Sequence, residues 1–195
     1  PEGLNAYTYD PAKAKQLLKD GNWDPTWKIS LKYTPGDKIN DAILPIVQQQ
    51  FKDVGVNMEL VSITAGSFNI VGDATPQKAA DFDISLIGGG VFREDPNVSA
   101  KYFETTSFSP AGGNYGHYSN PQIDALLVQG RATPDRAKRK QIYTQLATIL
   151  NEELPWIYLW SPNSIHGLTK RLQGFKPPSY ATHIVWNAEE WYVTQ

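Results

Sequence analysis

Residues 81–96 read DFDISLIGGGVFREDP, and the fold class turns on them. Phe82, Ile84 and Leu86 alternate with Asp83 and Ser85, and Ile87 carries the apolar run up to the glycines, the pattern of a strand with a buried side. At Gly88, Gly89 and Gly90 the missing Cβ atoms let the backbone turn sharply and let another molecule come close. Phe92, Arg93, Glu94 and Asp95 follow, and Pro96 stops any continuation. A buried strand that delivers bare backbone and strong side chains at its carboxyl end is where an open α/β sheet holds a ligand. The expectation is a central strand over residues 82–87, with Gly89, Gly90, Phe92, Arg93 and Asp95 as the ligand contacts.

Upstream, the chain spells a strand, a helix and a second strand. Lys28–Tyr33 alternates, placing Ile29, Leu31 and Tyr33 on one face. After a turn at Pro35 and Gly36, residues 39–54 keep the helical period through Ile39, Ile43, Ile46, Val47, Phe51 and Val54, with Pro45 expected to bend the helix. Gly55 ends it, and Val56, Met58, Leu60, Val61 and Ile63 form the next strand. Such a unit is expected to be a parallel, right-handed crossover. Ahead of it, Asp10 and Pro11 start a helix that turns Ala14, Leu17 and Leu18 to one side and closes at Gly21 in the C′ position. Residues 64–80 are polar and glycine-bearing, with room for one short helix around 68–71.

Downstream, residues 99–108 read as a short helix or turn, and 110–118, which hold Gly112, Gly113 and Gly116, as an exposed loop. Asn120 and Pro121 cap a helix that faces Ile123, Leu126 and Leu127 inward, and Thr133 with Pro134 caps another carrying Ala137, Ile142, Leu146, Ile149 and Leu150. Pro155 stops it. Residues 156–160 then alternate as a strand, Trp156, Tyr158 and Trp160 on one face and Ile157 and Leu159 on the other, so both faces are expected to be covered. Pro162, Pro177 and Pro178 break up the remaining chain, and Trp186, Trp191 and Tyr192 sit in a tail whose aromatic content asks for a partner surface.

A chain of 195 residues buries roughly 70% of the surface its unfolded form exposes, enough for a normal core. Eighteen Lys+Arg against 20 Asp+Glu leave a formal charge of −2 and no basic stripe, so nucleic acid is not an expected partner. Cysteine is absent, which excludes disulfides, thiolate metal sites and a cysteine nucleophile. No apolar run is long enough to span a bilayer, so no membrane insertion by this segment is expected. The start, PEGLNAYTYDP, lacks the basic region and apolar core of a secretion signal, and the chain is expected to begin partway through a longer protein.

The glycines lack both the GxGxxG spacing and the Lys-Ser/Thr of a phosphate loop, so close approach of a ligand is preferred to a phosphate cradle. Arg93 is either a bidentate clamp for a carboxylate or phosphate, or a rim partner of Glu94 or Asp95. Phe92 is either a stacking surface or a plug under the loop. Asp81 and Asp83 share a strand face, a placement open to acid–base work and equally ordinary where a strand leaves a polar loop. His117, His166 and His183 are too scattered for a helical or hairpin metal site, and no Gly-x-Ser-x-Gly elbow exists. No catalytic residue, metal or cofactor is assigned.

Taken in order, these phrases resemble the second lobe of the family 5 extracellular solute-binding proteins, the oligopeptide, dipeptide and nickel binders that feed ABC importers. The resemblance rests on Tyr9-Asp10-Pro11 with Lys13-Ala14-Lys15 and Leu17-Leu18, on Val54-Gly55-Val56 at a helix end, and on Asp81-Phe82-Asp83-Ile84 leading to Asp95-Pro96. It continues with Tyr118-Ser119-Asn120-Pro121 and Asp124, then Leu154-Pro155 and an apolar strand. It implies an α/β, periplasmic-binding-protein-like lobe of the type II two-lobed class, a mixed sheet with helices on both faces. It also implies that residues 1–160 are the C-terminal ligand-binding lobe and that 161–195 return toward an N-terminal lobe preceding Pro1. The implied partners are a small-molecule or peptide ligand, that N-terminal lobe and ABC permease subunits. The implied place is the periplasm or the outer face of the cytoplasmic membrane, with a lipid anchor on the preceding part.

In the peptide-binding members a Trp and then an Asp follow the matching strand, and the Asp pairs with the peptide ammonium group. Those positions hold Gly89 and Phe92 here, which implies a wider pocket without the usual ammonium partner, as in relatives that look like carbohydrate or opine binders. Two readings come from other classes. One is a small α/β hydrolase using Asp81, Asp83 or Glu94 with a histidine, and the other is a protein-interaction module that docks through its aromatic tail.

Overall fold

The computed structural model describes residues 2–63, 75, 77–78, 81–86, 95–160, 165–178 and 184–194. Helix α1 (Pro11–Asp20) begins where the Asp10 carboxylate accepts from Lys13 N at 2.9 Å, with Pro11 in the first turn. It ends with Trp23 N donating to Leu18 O at 2.8 Å and Asn22 N donating to Lys19 O at 3.1 Å. The left-handed residue of this stop is Asn22, at φ 52°, not the expected Gly21, at φ −80°. Asparagine tolerates that region better than other side chains, which moves the C′ position by one residue. Leu17, expected inside, is exposed, while Ala14 and Leu18 are half-buried.

Strand β1 (Lys28–Tyr33), helix α2 (Lys38–Asp53) and strand β2 (Asn57–Ser62) make the parallel unit that the pattern predicts. Asp37 starts α2 by accepting from Ile39 N at 3.0 Å and Asn40 N at 2.8 Å. Gly55, at φ +96°, ends it, with Val56 N bonded to Phe51 O at 2.9 Å. Strand β3 (Ile84–Leu86) pairs in parallel with the other edge of β1, giving the order β2-β1-β3. Among the described residues the middle strand is therefore β1, and the predicted central strand lies beside it, with Phe82 and Asp83 outside the ladder.

The register explains the core. Leu31 stands level with Leu60 on one side and Ile84 on the other, and Ile29, Tyr33, Met58 and Leu86 share that face. Leu44, Val47 and Phe51 of α2 cover it. Leu31, Leu44 and Met58 are almost closed to solvent, and each such side chain stabilises the fold by roughly 1.5–3 kcal/mol. Ile39 and Ile46, expected inside, are exposed. Apolar residues occupy two neighbouring stripes of α2, and the sheet takes the one through Leu44.

A second core forms between α3 (Pro121–Ala132) and α4 (Arg136–Glu153), where Ile123, Leu126 and Leu127 meet Leu146, Ala100 and Phe103. Ala100 belongs to a 3₁₀ helix, Pro96–Tyr102. Asn120 caps α3 through Gln122 N at 2.9 Å, as predicted. Helix α4 is capped by Asp135, which accepts from Lys138 N at 2.7 Å, and not by Thr133 and Pro134. The Thr133 hydroxyl instead donates back to Gln129 O at 2.8 Å, leaving the first-turn N–H groups to the carboxylate. Ala137, expected inward, is exposed.

Residues 110–118 are not the open loop that three glycines suggest. Asn114 is fully buried, as is Ser109 just before the segment, and the loop closes around them. Residues 156–160 are not a covered strand either. They lie outside every strand among the described residues, and Ile157, Tyr158 and Leu159 are each more than half exposed. A strand requires a neighbour to pair with, and among the described residues β1, β2 and β3 pair only with one another. Only Trp156 turns inward, its ring 4.8 Å from Tyr102 and 5.8 Å from Phe103. In the tail, β4 (Leu172–Gln173) and β5 (Tyr192–Val193) form an antiparallel pair beside a fully buried Asn187, which donates to Gly174 O at 2.7 Å and accepts from Trp191 Nε1 at 2.9 Å. Among the described residues no helix is long and apolar enough to cross a membrane.

Candidate ligand-binding site

Because β1, β2 and β3 run parallel, Tyr33, Ser62 and Leu86 stand level at one edge, and the three following segments leave from it. Ile63 N extends the ladder by donating to Tyr33 O at 2.8 Å. The turn after β1 is already satisfied internally. Gly36, at φ +101°, donates its N–H to Asp41 Oδ2 at 3.0 Å, and Asp37 takes the first free N–H groups of α2. The dipole end of α2 thus faces the chain's own carboxylates.

Of the predicted contacts, Gly89, Gly90, Phe92 and Arg93 lie outside the described residues, as does Glu94. Asp95 is described, and its surroundings are specific. Its Oδ1 accepts from Asn97 N at 2.8 Å, capping the helix Pro96–Tyr102, and from Arg139 Nη2 at 2.7 Å. Arg139 Nε in turn donates to Gly130 O at 3.0 Å, and the guanidinium lies 5.2 Å from the centre of the Tyr143 ring. The hydrogen bond from Arg139, then that from Asn97 N, hold the Asp95 carboxyl below the usual aspartate range. Arg139 carried no signal in the sequence. It lies 44 residues from Asp95, and only the packed fold brings the two together.

The acidic pair has structural work to do. Asp83 Oδ2 accepts from Ser30 N at 2.6 Å and Ser30 Oγ at 2.9 Å, and Asp83 N donates to Ser30 Oγ at 3.2 Å, so this aspartate continues the β1–β3 pairing by side chain. Asp81 lies 3.9 Å from Lys32 Nζ. His117 stacks on Phe108 with centroids 4.3 Å apart and contacts Ser109 O through Nε2 at 3.0 Å, while His166 stands edge-on to Phe175. His183 is outside the described residues. Among the described residues no group of His, Cys, Asp and Glu could hold a metal ion.

A separate apolar groove of about 770 Å³ has no wall from the sheet. Leu4, Tyr7, Phe103, Leu146, Trp156 and Ile157 are among its lining residues. Its N-terminal wall is fastened to α4, with Asn5 N donating to Asn151 Oδ1 at 2.7 Å and Tyr7 Oη donating to Asn151 O at 2.8 Å. The groove therefore belongs to the helical core, not to the edge where the strands end.

The family described as bacterial extracellular solute-binding proteins, family 5 (middle), matches residues 1–110. The glutathione-binding protein GsiB of Pectobacterium atrosepticum is 28% identical over 170 residues, which cover 87% of this chain and 33% of that protein. Among solved structures, NikZ from Campylobacter jejuni in complex with Ni(L-His) superposes with a TM-score of 0.75 at 26% identity, over 95% of this chain and 39% of that one. The oligopeptide-binding protein AppA from Bacillus subtilis, in complex with a nonapeptide, superposes over the whole of this chain and 40% of its own with a TM-score of 0.77 at 22% identity, a likeness of fold. The chain spans about a third of the length of the curated relatives it matches.

Proposed function

The chain belongs to the bacterial extracellular solute-binding proteins of family 5, and on that premise we propose that it is the ligand-binding lobe of a solute receptor serving an ABC importer, taking a peptide-like solute. The family is one of binding proteins and not of enzymes, and the aspartates that a hydrolase would have used support the reading by serving the sheet and its rim. The observation that carries the site is the common edge of Tyr33, Ser62 and Leu86, from which the segment with Gly89, Gly90, Phe92 and Arg93 emerges and which ends on the braced Asp95. Gly89 and Gly90 would let the ligand approach the backbone, Phe92 would stack on it, and Arg93 would clamp a carboxylate. Asp95 holds the far end of the segment.

Residues 1–160 act as the C-terminal lobe, and 161–195 run toward an N-terminal lobe elsewhere in the full-length protein. The exposed Ile157, Tyr158, Leu159 and Trp160 support this, since so contiguous an apolar segment calls for further protein to cover it. A ligand bound between two lobes gains contacts with both only when they close, and that differential affinity drives the hinge. The relatives named for glutathione and oligopeptides favour a peptide-like solute, and with Phe92 in the position that the resemblance gives to the ammonium partner, Arg93 would supply the anchoring charge.

The test is native mass spectrometry of the full-length protein purified without added ligand, followed by titration calorimetry with glutathione and with trialanine. A retained peptide mass, or uptake of either probe, is the expected result. A retained saccharide or opine mass overturns the ligand class, and a protein that is empty and takes neither probe overturns the peptide reading.

A further inference from the structure

We propose that residues 4–9 form a releasable strap over the apolar groove of the helical core, latched by Asn151. The last turn of α4 is one donor short, because the N–H that Asn151 O would take belongs to position 155, and Pro155 has none. Tyr7 Oη supplies the missing donor, at 2.8 Å. The Asn151 side chain also grips both backbone groups of Asn5, its Oδ1 accepting from Asn5 N at 2.7 Å and its Nδ2 donating to Asn5 O at 3.2 Å. Within the strap, Tyr7 N donates to Asn5 Oδ1 at 3.2 Å. Among the described residues, the hydrogen bonds from the strap to the rest of the fold all end on Asn151.

Little else holds the strap down. Leu4 is half-buried, residues 5–9 are exposed, and none of them belongs to a helix or strand. Hydrogen bonds at such positions compete with water, so each adds little to the closed state. Tyr7 lies at φ 44°, the left-handed region that crowds a bulky side chain, and this strain opposes closure. A segment with few buried contacts and exposed bonds opens before the rest of a fold does. Leu4, Ala6 and Tyr7 line the groove together with Phe103, Leu127 and Leu146, which are almost closed to solvent. The buried cluster of α3 and α4 takes no side chain from the strap, so release uncovers the groove and leaves the helices packed.

The test is amide hydrogen exchange of the full-length protein, read in peptides over residues 4–9 and over α3, for the wild type, Asn151→Ala and Tyr7→Phe. Asn151→Ala removes both bonds to Asn5 and should speed exchange in residues 4–9 by about tenfold, and Tyr7→Phe, which removes one bond, by roughly threefold. Exchange in α3 should not change in either variant, and binding of the apolar dye 1-anilinonaphthalene-8-sulfonate should rise in Asn151→Ala as the groove is uncovered. Unchanged exchange in residues 4–9 of Asn151→Ala overturns the latch. Faster exchange there without added dye binding overturns the covering role. If α3 quickens with residues 4–9 in both variants, or Asn151→Ala does not fold and Tyr7→Phe quickens α3, the segment is part of the helical core and not a strap.

Discussion

Asn114 and Tyr118 bond each other through both ends of the asparagine amide: Asn114 Nδ2 donates to Tyr118 O at 2.8 Å, and Tyr118 N donates to Asn114 Oδ1 at 3.0 Å. The same amide also donates to Glu104 O at 3.1 Å, all within a site almost closed to water. One side chain thus takes the place of a neighbouring strand for three backbone groups, and it joins the ends of the segment that precedes α3. Leaving those groups unpaired costs about 1–3 kcal/mol for each that water cannot reach. Asn114→Ala should therefore lower the unfolding free energy by about 3 kcal/mol in urea, and a loss under 1 kcal/mol would show that the loop is held by something else.

The glycines of that loop are not equivalent. A Cβ on Gly112 would lie 2.1 Å from Ser107 O, a carbonyl already bonded to Asn114 N at 2.9 Å, so neither partner can yield cheaply. A Cβ on Gly116 would meet nothing within 4 Å. Gly112→Ala should lose about 3 kcal/mol or fail to fold, whereas Gly116→Ala should stay within about 0.5 kcal/mol of wild type. Chemical denaturation of the pair settles it, since equal effects would remove the close approach as the cause.

Asn114 and Arg139 also mark where a reading of the chain stops. β1 was legible because alternation over Lys28–Tyr33 is a local property, and the caps at Asp10 and Asn120 were legible because a side chain and its backbone partner lie within three residues. Two features of α2 were harder, since Ile39 and Leu44 lie on neighbouring apolar stripes and only the sheet chooses between them. Asn114 and Arg139 were invisible for a different reason. Their partners are backbone carbonyls and a distant carboxylate, set by the path of the chain and not by any pattern around them. The strand expected at residues 156–160 failed because alternation specifies faces but not the neighbour that a strand must have.

The phenol of Tyr118 donates to Glu153 Oε2, while Asn120 Nδ2 donates to Oε1 of the same carboxylate at 2.8 Å. Burial first, and then the Glu153 carboxylate, push the Tyr118 hydroxyl well above the usual tyrosine value. The folded state therefore binds this proton more tightly than the unfolded state. Its contribution is complete below the ordinary value of 10.0 and is lost as pH rises above it. Tyr118→Phe should cost about 1 kcal/mol at neutral pH, and the gap to wild type should narrow as pH climbs past 10. Unfolding curves for both proteins taken at rising pH provide the check, and a gap that stays constant would mean that the phenol does not titrate with folding.

In the proposed site the anchoring charge would be Arg93, since the resemblance to the peptide-binding members implies that Phe92 takes the position of their ammonium partner. A guanidinium facing a ligand carboxylate makes charge-assisted bonds that strengthen once closure excludes water. Arg93→Ala in the full-length protein should weaken glutathione by about 1.5–3 kcal/mol, a factor of roughly ten to a hundred, and should weaken a peptide amidated at its carboxyl end far less. Phe92→Asp would supply the missing carboxylate and should favour ligands that carry a free ammonium group. Calorimetric titration with trialanine, its amide and its N-acetyl form separates these contributions. If Arg93→Ala binds the acid and the amide with unchanged affinities, Arg93 is a rim residue and the carboxylate is held by the other lobe.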